Sequence, residues 1–143
     1  MRVFVTDEFR RHNLKFSAPR LGDAGYDLFA AEEVRILPGK RSLIRTGLHV
    51  EIPQGHVGLI KDRSSVALDG LHVFAGVIDP SYRGELKVLM FNTNEIEYTI
   101  QVSRKIAQMV VVAYYDAAVE LVDRLEQLSQ SGRGIGGFGS TGG

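Results

Sequence analysis

Turns recur too often in this chain for anything but a β architecture. Pro38-Gly39 separates a Val34–Leu37 segment from Ser42–Ile52, and Pro53-Gln54-Gly55 turns the chain again into His56–Lys61. Short segments punctuated in this way belong to an all-β sandwich or barrel, not to βαβ units. Met1–Val5 alternates as an edge strand, and Ile96–Val102 reads as another strand. Arg10–Gly22 reads as a polar connection, with Ala18-Pro19 held extended. Lys105–Val112 is a continuous apolar run that suits a strand buried on both faces, with Gln108 as its polar exception. One short helical segment is expected in the middle, Val66–Leu71, with Ser64 or Ser65 as its N-cap.

The most informative stretch is GVIDPSYRG, Gly76 to Gly84. An apolar run from Phe74 to Ile78 delivers Asp79, Pro80-Ser81 turns the chain, and alternation from Glu85 to Phe91 reads as the second strand of a hairpin. Asp79 is then either a turn-forming Asp before Pro, the commoner case, or a general base held beside apolar surface. Taken alone, the hairpin favours the turn. Two other stretches change the weighing. Asp62-Arg63-Ser64-Ser65 gathers an arginine and two hydroxyls where an anion could be met, although a plain capped turn explains it as well. Near the end, seven of the twelve residues from 132 to 143 are Gly, interrupted by Arg133, Phe138, Ser140 and Thr141. Such a tail is disordered by default, but its arginine, aromatic ring and hydroxyls could wrap a phosphorylated ligand and order only around it. Residues 1–131 are therefore read as one β domain, and 132–143 as a flexible arm.

Composition narrows the partners. Formal net charge is +0, which argues against bulk attraction to nucleic acid or to anionic membranes. The chain has no Cys, so disulfides and thiolate metal sites are excluded. The four histidines, His12, His49, His56 and His72, lack metal-ligand spacing. No apolar run approaches membrane-spanning length, and a cytoplasmic (or nuclear) location is expected.

Five segments in order resemble the five motifs of the trimeric dUTPase family: Ala24-Gly25-Tyr26-Asp27-Leu28, Arg63-Ser64-Ser65, Gly76-Val77-Ile78-Asp79 through Tyr82-Arg83-Gly84, Ile106-Ala107-Gln108, and Arg133-Gly134 through Phe138-Gly139-Ser140-Thr141-Gly142. The resemblance implies a jelly-roll-like β-barrel subunit in a homotrimer, with active sites shared between subunits and closed by a neighbour's tail. It implies hydrolysis of dUTP to dUMP and pyrophosphate, with Mg²⁺ on the triphosphate. In that pattern Asp79 activates the attacking water, and Tyr82 lies against deoxyribose and leaves no space for a 2′-hydroxyl. The backbone of Gly76, Val77 and Ile78 reads uracil. Arg63, Ser64, Ser65 and Gln108 contact phosphates. Asp27 reaches Mg²⁺ through a water. Phe138 stacks on uracil, while Arg133, Gly139, Ser140 and Thr141 complete the phosphate and base contacts.

The sequence departs from the family's usual pattern at Asp62 (Pro), Ser65 (Gly), Ser81 (an acid) and Ser103-Arg104-Lys105 (Gly-Asp-Arg), and Lys105 is given no role. Arg-Ser-Ser and Ile-Asp-Pro also resemble the related dCTP deaminases. Those need a Glu ten residues beyond Asp79, where this chain has Leu89, so deamination is set aside. The alternative from another class is a non-catalytic nucleotide- or protein-binding module of the same fold; loss of Asp79, Tyr82 or Phe138 would mark it, and all three are present.

Overall fold

The computed structural model describes residues 1–132 and 134. Its strands are β1 (Arg2–Val5), β2 (Gly25–Phe29), β3 (Val34–Ile36), β4 (Arg41–Glu51), β5 (His56–Lys61), β6 (Leu71–Phe74), β7 (Val77–Ile78), β8 (Glu85–Asn92), β9 (Tyr98–Ile100) and β10 (Lys105–Ala113). Two helices, α1 (Asp7–Arg11) and α2 (Ser64–Leu68), interrupt them. The strands form two four-stranded sheets, ordered β1-β4-β8-β6 and β2-β10-β5-β7, and a small β3-β9 pair. This is the all-β, jelly-roll-like class expected, built as facing sheets and not as a closed barrel.

Alternation dictates which side chains meet between the sheets. Along β8, Leu86, Val88, Met90 and Asn92 are buried while Lys87 is exposed, the period-2 pattern of a strand with one covered face. Leu86, Val88 and Met90 join Leu28, Ile44, Leu48, Ile60, Ile106 and Met109 in one apolar core. Its two buried polar side chains are satisfied. Thr46 Oγ1 donates to Leu86 O at 2.7 Å, and Asn92 Nδ2 donates to Ile36 O and Ile96 O at 2.9 and 2.8 Å. No helix among the described residues is long and apolar enough to cross a membrane.

Three local expectations are corrected. α1 falls where only a strand end and a polar connection were expected. Its signals were present: Thr6 Oγ1 accepts from Phe9 N at 3.3 Å, with Asp7 and Glu8 in the first turn and Arg10 and Arg11 in the last. α2 starts earlier than expected; its N-cap is Arg63, and neither serine caps it. The Val119–Ser131 stretch has a single 3-10 turn, at Leu125–Gln127.

The third correction is the hairpin. β7 pairs with β5, whereas β8 pairs with β4 and β6, so Val77–Ile78 and Glu85–Asn92 belong to different sheets. The chain leaves the sheet of β6 and β8 for that of β7 at Ala75 and Gly76, both at positive φ (61° and 103°). Gly76 is required there, because a Cβ on it would lie 2.8 Å from Ile60 O, the backbone it packs against.

Candidate active site

The sequence-expected residues gather at the two ends of β5. At its C-terminal end, β2 and β10 contribute to a cleft of about 860 Å³ lined by Asp27, Arg63, Ser64, Lys105 and Gln108, together with Lys15, Arg20 and Asp23 from the loop before β2. Four cations therefore face two carboxylates, in a chain whose net charge is zero. That local excess fits a polyanion.

A β-bulge assembles this wall. Asp27 of β2 sits opposite Gln108, and Phe29 opposite Lys105, with a register shift between Lys105 and Ala107. Residues three apart on a regular strand face opposite sides. The extra residue rotates the strand, so Lys105 and Gln108 both line the cleft. Gly25 matters for a different reason: a Cβ there would collide with Gln108 Oε1, so only Gly lets this amide lie across β2. Gln108 Nε2 donates to Asp62 O at 2.9 Å and thereby fixes the backbone just before Arg63.

Inside the cleft Asp27 carries two ion pairs, one with Arg63 and one with Lys105 Nζ at 2.8 Å. Lys105 is the residue that motif reading left out. Its only sequence signal was its place before Ile106-Ala107-Gln108, and its direction depends on the bulge. Ser64 lines the cleft; Ser65 is exposed beside it.

Two departures from the family pattern hold α2 at both ends. Before it, Asp62 Oδ1 accepts from Val73 N at 2.6 Å and Oδ2 meets His72 Nδ1 at 2.5 Å, tying the cleft loop to the edge strand β6. After it, Asp69 pairs with Arg104 and accepts from Tyr98 Oη at 3.0 Å. The Arg104 guanidinium also lies 5.3 Å from the centre of the Tyr98 ring. Burial, and then the bond to Asp69, hold the Tyr98 phenol above its ordinary pKa, so it stays a donor across neutral pH. Nothing in the structure explains Ser81.

Asp79 and Tyr82 lie at the other end of β5. Ile78 pairs with Gly58, near the start of β5, and Arg63 follows its end. At about 3.3 Å per residue, Asp79 and Arg63 are roughly 20 Å apart within one chain. The Asp79–Tyr82 turn is closed by Tyr82 N donating to Asp79 O at 3.1 Å, so the turn-forming reading of Asp79 is correct for its main chain. Its side chain is exposed. Tyr82 Oη donates to Glu85 O at 3.0 Å, and the ring folds over Gly84, where a Cβ would collide with Tyr82 Oη. Arg83 Nη1 donates to Pro80 O and Tyr82 O at 2.6 and 2.8 Å, which stiffens the turn from within. Gly76, Val77 and Ile78 lead into it. Arg133, Phe138, Gly139, Ser140 and Thr141 lie outside the described residues.

No group of three or more His, Asp or Glu side chains among the described residues could hold a metal by itself. The donors present fit a different arrangement. Mg²⁺ commonly keeps several waters and binds through one or two carboxylates plus substrate phosphates. Asp27, with Asp23 at the same cleft, supplies that kind of donor.

Comparisons with known proteins converge on one family. The dUTPase family model matches residues 15–142. A deoxyuridine 5'-triphosphate nucleotidohydrolase from Clostridioides difficile is 44% identical over 124 residues, 85% of each chain. One from Thermobifida fusca is 42% identical and covers 97% of this chain and 80% of its own. Among solved structures, Staphylococcus bacteriophage 80alpha dUTPase with dUpNHpp superposes with a TM-score of 0.87 at 30% identity, covering 99% of this chain and 97% of the phage protein. A point mutant of the dUTPase from S. aureus phage phi11, TM-score 0.77 at 27% identity, covers 87% of this chain and 97% of its own and is described with a structural Mg(II) ion.

Proposed function

The chain belongs to the dUTPase family, and we propose from this premise how its own residues divide the work. The protein is a dUTP nucleotidohydrolase: water adds in line at the α-phosphorus, and the products are dUMP and pyrophosphate. The observation that carries the assignment of roles is the separation along β5. A cationic cleft ends one side of the strand, and an exposed carboxylate on a stiff turn ends the other.

Arg63, Ser64, the Ser65 N–H and Gln108 hold the phosphates. Asp79 takes the proton of the attacking water, a role that needs an accessible carboxylate held in a fixed direction. Tyr82 packs against the sugar, and the hydrogen bond from its hydroxyl to Glu85 O fixes that ring before substrate arrives. The backbone from Gly76 to Ile78 reads the uracil edge. Mg²⁺ would neutralise part of the triphosphate charge when bound, with Asp27 reaching it through a water. Residues 132–143 close the site, with Phe138 on the base and Arg133, Ser140 and Thr141 on the phosphates.

A gap of roughly 20 Å between Asp79 and Arg63 is too wide for one nucleotide to meet both on the same chain. A homotrimer with sites between subunits removes the difficulty, because the turn of one copy then faces the cleft of another. The segment after β10 supports this assembly. Tyr115, Val119 and Leu121 are 90%, 87% and 91% exposed, so an apolar arm leaves the body uncovered.

The test is pyrophosphate release with Mg²⁺ from dUTP, dCTP, dTTP and UTP measured side by side. Fast release from dUTP alone is expected. No release from any, by a folded protein that still binds dUTP, would instead favour a binding module.

A further inference from the structure

Both oxygens of Asp27 are occupied, one by Arg63 and the other by Lys105 Nζ. The Lys105 ammonium also lies 5.8 Å from the centre of the Phe29 ring, another residue of the cleft. The side chains are only partly covered: 30% of Asp27, 28% of Arg63 and 47% of Lys105 remain exposed. Ion pairs this open contribute little to stability, so stability alone does not account for two cations gathered on one carboxylate. Their position does. Two cations that must stand together to receive a polyanion repel each other until it arrives, and an anion between them keeps them in place.

We propose that Lys105 is a phosphate-binding residue of this site, and that Asp27 is the internal counter-anion of Lys105 and Arg63 until a triphosphate replaces it. The proposal rests on the reading of this cleft as the phosphate end of the dUTP site. On binding, phosphate oxygens take Arg63 and Lys105 from Asp27, and no covalent bond changes. The carboxylate released by this exchange would be the group that holds Mg²⁺ through a water. A lysine suits the exchange, since a compact ammonium changes partners without the planar fork that commits an arginine to one geometry.

Calorimetric titration of the full chain with dUTP in EDTA tests this, with dUMP as the ligand lacking the outer phosphates. EDTA removes any metal role of Asp27 from the readout. Lys105→Met is expected to weaken dUTP binding roughly tenfold, the scale of a lost charge-assisted hydrogen bond, and to leave dUMP nearly unchanged. Lys105→Arg, which keeps the charge, should retain most of the dUTP affinity. Asp27→Asn is expected to tighten dUTP severalfold, because the competing anion is gone; a merely structural Asp27 predicts weakening. Melting curves establish that each variant is folded.

Unchanged dUTP affinity in Lys105→Met, or weaker dUTP binding in folded Asp27→Asn, overturns the proposal. Arg63→Ala separates the levels. If it weakens dUTP while Lys105→Met does not, only the new assignment falls. Should both leave dUTP affinity unchanged, the phosphate reading of the cleft falls with it.

Discussion

The two ends of β5 are built by different means. The Asp79–Gly84 turn is closed by contacts among neighbours: Tyr82 N to Asp79 O, Arg83 to Pro80 O and Tyr82 O, and Tyr82 Oη to Glu85 O. The cleft is assembled from distant parts of the chain, with Asp27, Arg63 and Lys105 brought together by strand pairing and a bulge. A turn of the first kind holds one side chain in a fixed direction. An ion cluster of the second kind can exchange partners. The first suits a base that must aim a water, and the second suits a pocket that must admit and release a polyanion.

The largest effect should come from the rigid end. Asp79→Asn is expected to lower kcat by about 10³-fold, within the range for losing a general base, while dUTP binding persists. Near-normal turnover would remove Asp79 from that role. The separation itself is tested by mixing. Asp79→Asn and Arg63→Ala proteins, each inactive alone, should recover up to about a quarter of wild-type activity when unfolded and refolded together, since random assembly leaves that share of shared sites intact. No recovery would place both residues in a site built by one chain.

Smaller effects distinguish the anchors of the exchangeable end. Asp62→Ala frees the loop before Arg63 from Val73 N and His72, so KM for dUTP should rise roughly fivefold, the equivalent of about one hydrogen bond, with kcat little changed. Asp62→Asn keeps an acceptor for Val73 N and should restore most of the loss. The least effect is expected at Tyr98→Phe, which removes one donor to Asp69. Thermal unfolding should show a loss of at most about 1 kcal/mol, with KM unchanged. A large KM effect would mean that the far end of α2 also governs the cleft.

Much of this was legible without coordinates. Pro38-Gly39, Pro53-Gln54-Gly55 and the alternation of Glu85–Phe91 pointed to the β class, because turn chemistry and period-2 burial are local properties. The Asp79-Pro80-Ser81-Tyr82 turn and the motif residues in order were equally local, and the family match follows them. α1 was local too, marked by Thr6 and the charges on either side of Phe9, but so short a helix is easily absorbed into a polar stretch.

Local chemistry along the chain was therefore enough for the fold class, the family, and the turn that presents Asp79. Three further features came only from packing in three dimensions. Val77–Ile78 went to β5 and not to β8, through two successive positive-φ residues whose choice of sheet depends on the packing of Gly76 against Ile60. Lys105 turned into the cleft, because a bulge, invisible to any fixed period, shifts the register between Lys105 and Ala107. Asp79 and Arg63 came to lie at opposite ends of one strand. Residue type and local spacing fix what a side chain can do, but which side chains meet is set by pairing between strands far apart in the chain, where register decides the direction of every residue.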